Sequence, residues 1–368
     1  MIIAHVLTSL HIGGGERVTL ELASAQVLLG HRVLAVSLGS GSDDPLADAF
    51  RARNVDVHRL AKTTRGLDPI LILRLAALFW QNRVGVAHLH NRLPLIYGVP
   101  AARLTGALAI HTRHGPRPTG PRQEWLVRMA AKGLHAYVAV SEDVRGRALT
   151  QEGISPDRVS VIDNGIDVER YRRNDEARAA IRAELGIPPK AWVVGAVGRF
   201  APEKDFPLLV RAAAPLLGPD SRLLLVGDGD EMPAVRAEVE RQAAGPFVVL
   251  PGSRNDVPEC LAAMDAFVLS SRMEGMPISV LEAMASGLPL VASKVGALPG
   301  LIADGVNGLL FPIGDEKALR AHLQSLRAAP DRAQRIANLG RELVRAKHSR
   351  EAMARRYLDL YVQRGARA

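Results

Sequence analysis

Short, nearly continuous apolar runs alternate along this chain with stretches whose apolar residues recur at spacings of three and four. The runs IIAHVLT, RVLAVSL, VGVAHLH, ALAIHT and HAYVAVS read as strands, with helices between them such as Arg17–Leu29 and Gln123–Lys132. The pattern restarts at WVVGAVG and continues through SRLLLVGDG, FVVLPGS, AFVLSS, PLVAS and GLLFP, with helices at Pro207–Leu217 and Ser279–Ala285. Alternation of this kind predicts βα units around parallel sheets. Two such series, joined by the charged, irregular stretch Val168–Pro189, predict two doubly wound domains. Beyond Pro312 the segment Glu316–Arg367 reads as helical, and it is long enough to cross back onto the first domain.

Composition narrows the class. A chain of 368 residues, 48% hydrophobic and 23% charged, favours two domains with sizeable cores and excludes disorder. The single cysteine, Cys260, excludes a disulfide framework and a cysteine-cluster zinc site. MIIAHVLTSL lacks the features of a signal peptide, and LDPILILRLAALFW is too short and too charged to span a bilayer, so a cytoplasmic protein is expected. The net charge of +9 is segregated. Residues 51–133 carry 14 basic and 3 acidic side chains, residues 320–368 carry 12 and 4, and residues 134–319 carry 19 and 26. A basic face of this kind suits an anionic partner, either nucleic acid, a membrane surface or a phosphorylated substrate. Nucleic acid is set aside, because aromatics are only 4% of residues and no RNA-binding signature is present.

Three segments carry candidate chemistry. Gly13-Gly14-Gly15-Glu16-Arg17 lies between the first strand and the first helix, where glycines allow close backbone approach and a helix N-terminus offers free N–H groups. It reads equally as a tight turn. Gly198-Arg199-Phe200-Ala201-Pro202-Glu203-Lys204 places two cations at the carboxyl end of a strand, where open α/β sheets bind ligands. Glu274 and Glu282 flank Gly275-Met276-Pro277-Ile278, with Pro277 suited to the first helical position and N–H groups around Met276–Ser279 aimed at an anion. Two glutamates bracketing an anion fit a nucleoside diphosphate-sugar, a diphosphate with a hydroxyl-rich ring at each end. The pairs His88/His90 and His111/His114 have spacings similar to metal ligands, but no carboxylate-rich element accompanies them, so no metal is expected. His88 and His90 read as strand-end residues bonded to neighbours, whereas His111 or His114 is placed to touch a transferred sugar. Asp228-Gly229-Asp230 reads as a structural turn.

Together these motifs resemble glycosyltransferase family 4, the retaining enzymes of two-domain GT-B architecture. The likeness runs from GGGER through VAVSEDVR, VIDNGID, VGRFAPEKDFPLLVRA, LLLVGDG, LPGSRNDV and SRMEGMPISVLEAMASGLPLVAS to DGVNGLLFP, roughly residues 1–315. It implies an α/β fold of two Rossmann-like domains facing a central cleft: 1–170 for the acceptor, 171–345 for the donor, and a helix at 346–368 packing back on the first domain. It implies that Arg199 and Lys204 bind the donor diphosphate and that Glu282 holds the ribose. Glu274 would sit near the transferred sugar, with Gly275, Met276, Pro277 and Ile278 lining the pocket. The Gly14–Gly15 loop would touch phosphate or acceptor, and Arg254–Val257 would cradle the base. The family's first-domain histidine aligns with His114, with His111 as the alternative. Asp205-Phe206 departs from the Gly-Phe of many members.

The implied reaction is metal-independent transfer of a hexose from a UDP- or GDP-linked donor to a hydroxyl on a lipid-linked or polysaccharide precursor of the cell envelope. A GT-B 2-epimerase and a non-catalytic nucleotide-sugar-binding protein are the alternatives. Pro69–Arg83, with Arg74, Arg83 and Trp80, reads either as an amphipathic surface helix or as a core helix. The first reading puts the protein peripherally at the cytoplasmic face of the inner membrane, on anionic lipid.

Overall fold

Runs that are apolar on both faces can be covered only if helices pack against both sides of a sheet, and that is how this chain folds. The computed structural model describes residues 1–11, 13–39, 44–64, 66–115 and 121–366, with the side chains of 121–123 left aside. The described residues form two units, one of residues 1–166 with 349–368 and one of residues 167–348.

In the first unit the strands are β1 (Ile2–Leu7), β2 (Arg32–Ser37), β3 (Asp56–Arg59), β4 (Val86–His90), β5 (Leu108–Arg113), β6 (Ala136–Ala139) and β7 (Val159–Val161). They form one sheet in the order β3-β2-β1-β4-β5-β6-β7, and every pairing is parallel. In the second unit β8 (Trp192–Val197), β9 (Ser221–Val226), β10 (Val248–Gly252), β11 (Ala266–Leu269), β12 (Leu290–Ser293) and β13 (Leu309–Phe311) form the parallel order β10-β9-β8-β11-β12-β13. Strand order reverses between β1 and β4 and again between β8 and β11. Beyond the carboxyl ends of such strands lie the crevices where doubly wound sheets take ligands.

The sequence pattern located eleven of these thirteen strands and missed β3 and β7. Both lie at an edge of the first sheet and are only partly covered, so neither shows an apolar run. The stretch 168–189 is not irregular, because it contains the helix Asp175–Glu184. Asn174 caps that helix, its side chain accepting from the amides of Glu176 and Ala177 at 3.0 Å.

Three helices follow the last strand: Glu316–Ala328, Pro330–Lys347 and Arg350–Gln363. The third belongs to the first unit and packs on the helix Gly14–Leu28. Arg350 pairs there with Glu21 at 3.5 Å, and Ser349 bridges Ile166. No helix among the described residues is long and apolar enough to cross a membrane.

Candidate functional site

In the second unit the candidate residues converge at the carboxyl ends of the two switch-point strands. The chain leaves β8 at Val197 and runs through Gly198–Ala201 into a single 3₁₀ turn, Pro202–Lys204. The Gly227–Gly229 turn after β9 braces this loop from below. A Cβ on Gly227, at φ +138°, would lie 1.9 Å from the Gly198 carbonyl oxygen, so only glycine permits the approach. Phe200 donates its amide to the Asp228 carbonyl at 2.9 Å, and its buried ring lies 4.3 Å from that of Phe206. Asp228 and Asp230 therefore flank a structural turn.

Asp205 occupies the left-handed region, φ 48° and ψ 47°. That backbone accounts for glycine being common at this place, and the aspartate adds two bonds of its own. Its carboxylate caps the helix Phe206–Ala213 at Leu208 N, 3.4 Å, and accepts from Arg272 Nε at 2.7 Å.

Lys204 and Glu274 meet. The lysine Nζ donates to Glu274 Oε1 at 2.6 Å, with side chains only 22% and 10% exposed. Ser270 fixes the Lys204 carbonyl at 2.9 Å. Arg199 is exposed and reaches Glu203 Oε1 at 3.0 Å. Both cations thus stand at one strand end with a carboxylate beside each. The loop after β11 carries Glu274 and Gly275 and leads into the helix Ile278–Ala285. Pro277 is the N-cap of that helix with extended backbone, not its first helical residue. Gly275, Met276 and Pro277 are buried and Ile278 partly so. Gly275, Met276 and Ile278 carry backbone N–H groups at this helix start, and Pro277 carries none.

Glu282 lies within that helix and is 4% exposed. The Tyr171 hydroxyl donates to its Oε1 at 2.6 Å. Sequence reasoning missed Tyr171, whose only signal was an aromatic residue inside a charged stretch. Arg254 is clamped by Asp256 (Nε to Oδ1, 2.8 Å) and Glu184 (Nη2 to Oε2, 3.1 Å). These carboxylates drive its pKa above the ordinary arginine value. Val257 begins the helix Val257–Ala262 and is 3% exposed, so its side chain serves the core and only its backbone is available at the loop.

In the first unit Gly14 and Gly15 are not in a loop. Gly13 caps the helix Gly14–Leu28, and the two glycines form its first turn. A Cβ on Gly15 would lie 3.2 Å from the His114 ring, so the helix start and the segment after β5 touch. His111 is buried and bonded through Nδ1 to the Leu89 carbonyl at 2.9 Å, which leaves His114 as the histidine at the strand end. His114 Nε2 lies 2.9 Å from His90 Nδ1, and its amide donates to Asn91 Oδ1 at 3.3 Å.

Behind this stand His5, His88 and His90, each 2% exposed or less. Sequence reasoning did not connect His5 to the site, although a histidine in the apolar run IIAHVL signals a buried polar group in need of partners. Burial lowers His5 and His114 to about 4 and His111 to about 3, and His88 and His90 also fall. The His88 and His90 rings overlap at 4.2 Å with a 33° tilt, and the ring nitrogens of His5, His88 and His90 are hydrogen-bonded to protein groups. One ring nitrogen from each of the three lies within 4.8 Å of the others, a spacing that a metal ion could use.

Two family models match the chain: Glycosyltransferase Family 4 over residues 12–170 and Glycosyl transferases group 1 over 191–328. Alpha-maltose-1-phosphate synthase of Mycolicibacterium smegmatis is 32% identical over 331 residues, covering 81% of this chain and 85% of that protein. UDP-Gal:alpha-D-GlcNAc-diphosphoundecaprenol alpha-1,3-galactosyltransferase of Escherichia coli is 29% identical over 330 residues, covering 85% and 84%. Among solved structures, Anabaena Alr3699/HepE in complex with UDP superposes with a TM-score of 0.87 at 20% identity, covering 99% of this chain and all of that one. Sucrose-phosphate synthase from Thermosynechococcus elongatus superposes with a TM-score of 0.84 at 22% identity, covering 98% of each chain. Two parallel-sheet α/β units, cations and glutamates at the strand ends of the second, and relatives of this closeness lead to one conclusion: the chain belongs to glycosyltransferase family 4 and is a glycosyltransferase of GT-B fold.

Proposed function

We propose that the protein transfers a hexose from a nucleoside diphosphate-sugar, UDP- or GDP-linked, to an acceptor hydroxyl with retention at the anomeric carbon and without a metal. The observation that carries this reading is Lys204 Nζ held 2.6 Å from Glu274 Oε1 at the carboxyl ends of β8 and β11, beside the N-terminus of Ile278–Ala285. As the sugar–phosphate bond breaks, negative charge grows on the departing diphosphate. Fixed cations and helix-end N–H groups stabilise that charge more than they stabilise the bound donor. Lys204 and Arg199 supply the charge, and Glu274, freed of the ammonium, accepts hydroxyls of the transferred sugar. Glu282 receives the ribose hydroxyls, and His114 touches a sugar hydroxyl. The relatives named above are transferases and synthases, which favours transfer over 2-epimerisation. Both cations and both glutamates are present, which favours catalysis over binding alone.

Lys204→Ala is expected to slow transfer about 10²–10³-fold in a protein that still folds by circular dichroism. Full activity in Lys204→Ala and Arg199→Ala, with chemistry limiting, would overturn the assignment. Glu282→Ala should first weaken nucleotide binding by calorimetry. A thermal-shift screen of nucleotide sugars identifies the base, and the anomeric configuration of the product by NMR tests retention.

For the acceptor we propose a lipid-linked cell-envelope precursor reached at the cytoplasmic face of an anionic membrane. The helix Pro69–Gln81 buries Leu71, Leu75 and Phe79 but exposes Ile70, Leu73 and Trp80 by 67%, 63% and 74%. The helix therefore has a core face and an exposed apolar face. The neighbouring helices Arg92–Thr105 and Pro121–Ala131 add exposed Leu104, Trp125 and Met129, with Arg74, Arg83, Arg103 and Arg128 interspersed. Apolar side chains among cations suit an anionic bilayer surface. Sedimentation should show binding to phosphatidylglycerol vesicles and not to phosphatidylcholine vesicles, with Trp80→Glu weakening it. Equal binding to both would overturn the docking face.

A further inference from the structure

Three histidines of the first unit, His5, His90 and His114, form an ordered hydrogen-bonded chain. Gln26 Oε1 lies 2.7 Å from His5 Nε2, His5 Nδ1 lies 2.9 Å from His90 Nε2, and His90 Nδ1 lies 2.9 Å from His114 Nε2. The last atom in line, His114 Nδ1, is buried and has no hydrogen-bond partner among the described residues.

With neutral rings, each histidine carries one proton, so the chain has only two self-consistent polarities. In one, Gln26 Oε1 accepts from His5 Nε2–H, His5 Nδ1 accepts from His90 Nε2–H, and His90 Nδ1 accepts from His114 Nε2–H. His114 Nδ1 is then a bare lone pair. In the other, every proton shifts by one atom and His114 is left with a buried, unsatisfied N–H. Orphaned buried donors are rarer than orphaned acceptors, which selects the first. A neighbour agrees with it. The Tyr361 hydroxyl, 2.7 Å from His88 Nδ1, takes the Gln26 amide NH₂ at 3.4 Å, which turns the amide oxygen toward His5. His114 is also held from its backbone by Asn91, which sits at φ 65°.

We propose that Gln26, His5 and His90 are positioning residues that fix His114 as its Nε2–H tautomer and leave Nδ1 to accept a hydrogen bond from a sugar hydroxyl. This rests on the reading above that His114 meets the sugar, and it adds what sets the direction of that bond. A hydroxyl donated to Nδ1 satisfies the one orphaned atom of the chain, whereas a sugar carbon lacking that hydroxyl leaves it unpaired, so the arrangement discriminates among sugars.

The tautomer is read directly from the ring ¹⁵N shifts of the ligand-free protein, with His114 assigned by loss of its signals in His114→Ala. An unprotonated Nδ1 and a protonated Nε2 are expected, and the reverse pattern overturns the proposal. His90→Asn keeps an acceptor near the position of Nδ1 and should retain the single tautomer, whereas His90→Leu should average it. In donor hydrolysis, followed in parallel with UDP-glucose, UDP-galactose, UDP-N-acetylglucosamine and GDP-mannose, His90→Leu should lower kcat about tenfold with KM unchanged, and His90→Asn should stay within about threefold. Equal loss in both His90 variants removes the positioning role. Full turnover in His114→Ala removes the sugar contact, and with it the reading this inference rests on.

Discussion

Asp205 holds a left-handed backbone, caps the helix Phe206–Ala213 and accepts from Arg272. An alanine there keeps the unfavourable φ and loses the cap, so Asp205→Ala should destabilise by about 2 kcal/mol in urea. Asp205→Gly relieves the φ and should lose less than half as much. If the two variants are equally unstable, the backbone conformation is not what the position demands. Arg182 makes a different case. It is 2% exposed and donates to the carbonyls of Ala263 (3.0 Å), Pro189 (2.7 Å) and Ala191 (2.9 Å) and to Asp265 (2.8 Å). Arg182→Met strands these acceptors, and a loss of about 3–5 kcal/mol is expected by denaturant titration. Neither residue was legible in the sequence. Asp205 showed only as a departure from a motif, and Arg182 looked like one of several surface cations in a charged stretch.

At the scale of elements, the sequence was legible where burial is two-sided. The inner strands β1, β4, β8 and β11 are apolar runs because helices cover both faces, and the motifs at their carboxyl ends could be placed from order alone. Legibility failed at partial burial, as in β3, whose DVHR has no apolar run, and at helix starts. Glycine hid the first turn of Gly14–Leu28, and a proline that suits two cap positions misplaced the start of Ile278–Ala285 by one residue. It also failed where a loop is shaped by another loop. Gly296, at φ 56°, approaches the Glu274–Gly275 segment so closely that a Cβ would lie 2.5 Å from the Glu274 carbonyl oxygen, and the neighbouring Ala297 amide bonds the Gly275 carbonyl at 2.9 Å. Gly296→Ala should therefore displace Glu274 and lower transfer about 10²-fold while the sheet survives. Unchanged turnover in a folded Gly296→Ala protein would show that the segment tolerates the shift.

Across the whole molecule, titratable chemistry is divided unevenly. Nine of the eleven histidines lie in the first unit, seven of them lowered by burial, against His322 and His348 in the second. Each lowered ring titrates near 6.5 once unfolded, so acid protonates the unfolded chain first. Stability is then full above pH 6.5 and is lost as pH falls toward the folded values of about 4 for His5 and His114 and about 3 for His111. Between pH 7.5 and 5.5 each of these three rings should withdraw on the order of 1 kcal/mol, so the first unit should melt before the second on acidification. Calorimetry at the two pH values checks this, and transitions that move together would refute it.

The docking of Arg350–Gln363 on the first unit has a consequence for synthesis. Gln26 and Tyr361 share a hydrogen bond across 335 positions, and Thr112 and Tyr357 across 245. A chain emerging N-terminus first therefore completes residues 1–166 about 10–40 s before Tyr357 and Tyr361, which bond its buried polar side chains, are made. During that interval the nascent first unit must stand with the face of Gly14–Leu28 uncovered, and the second unit has time to fold before the first is finished.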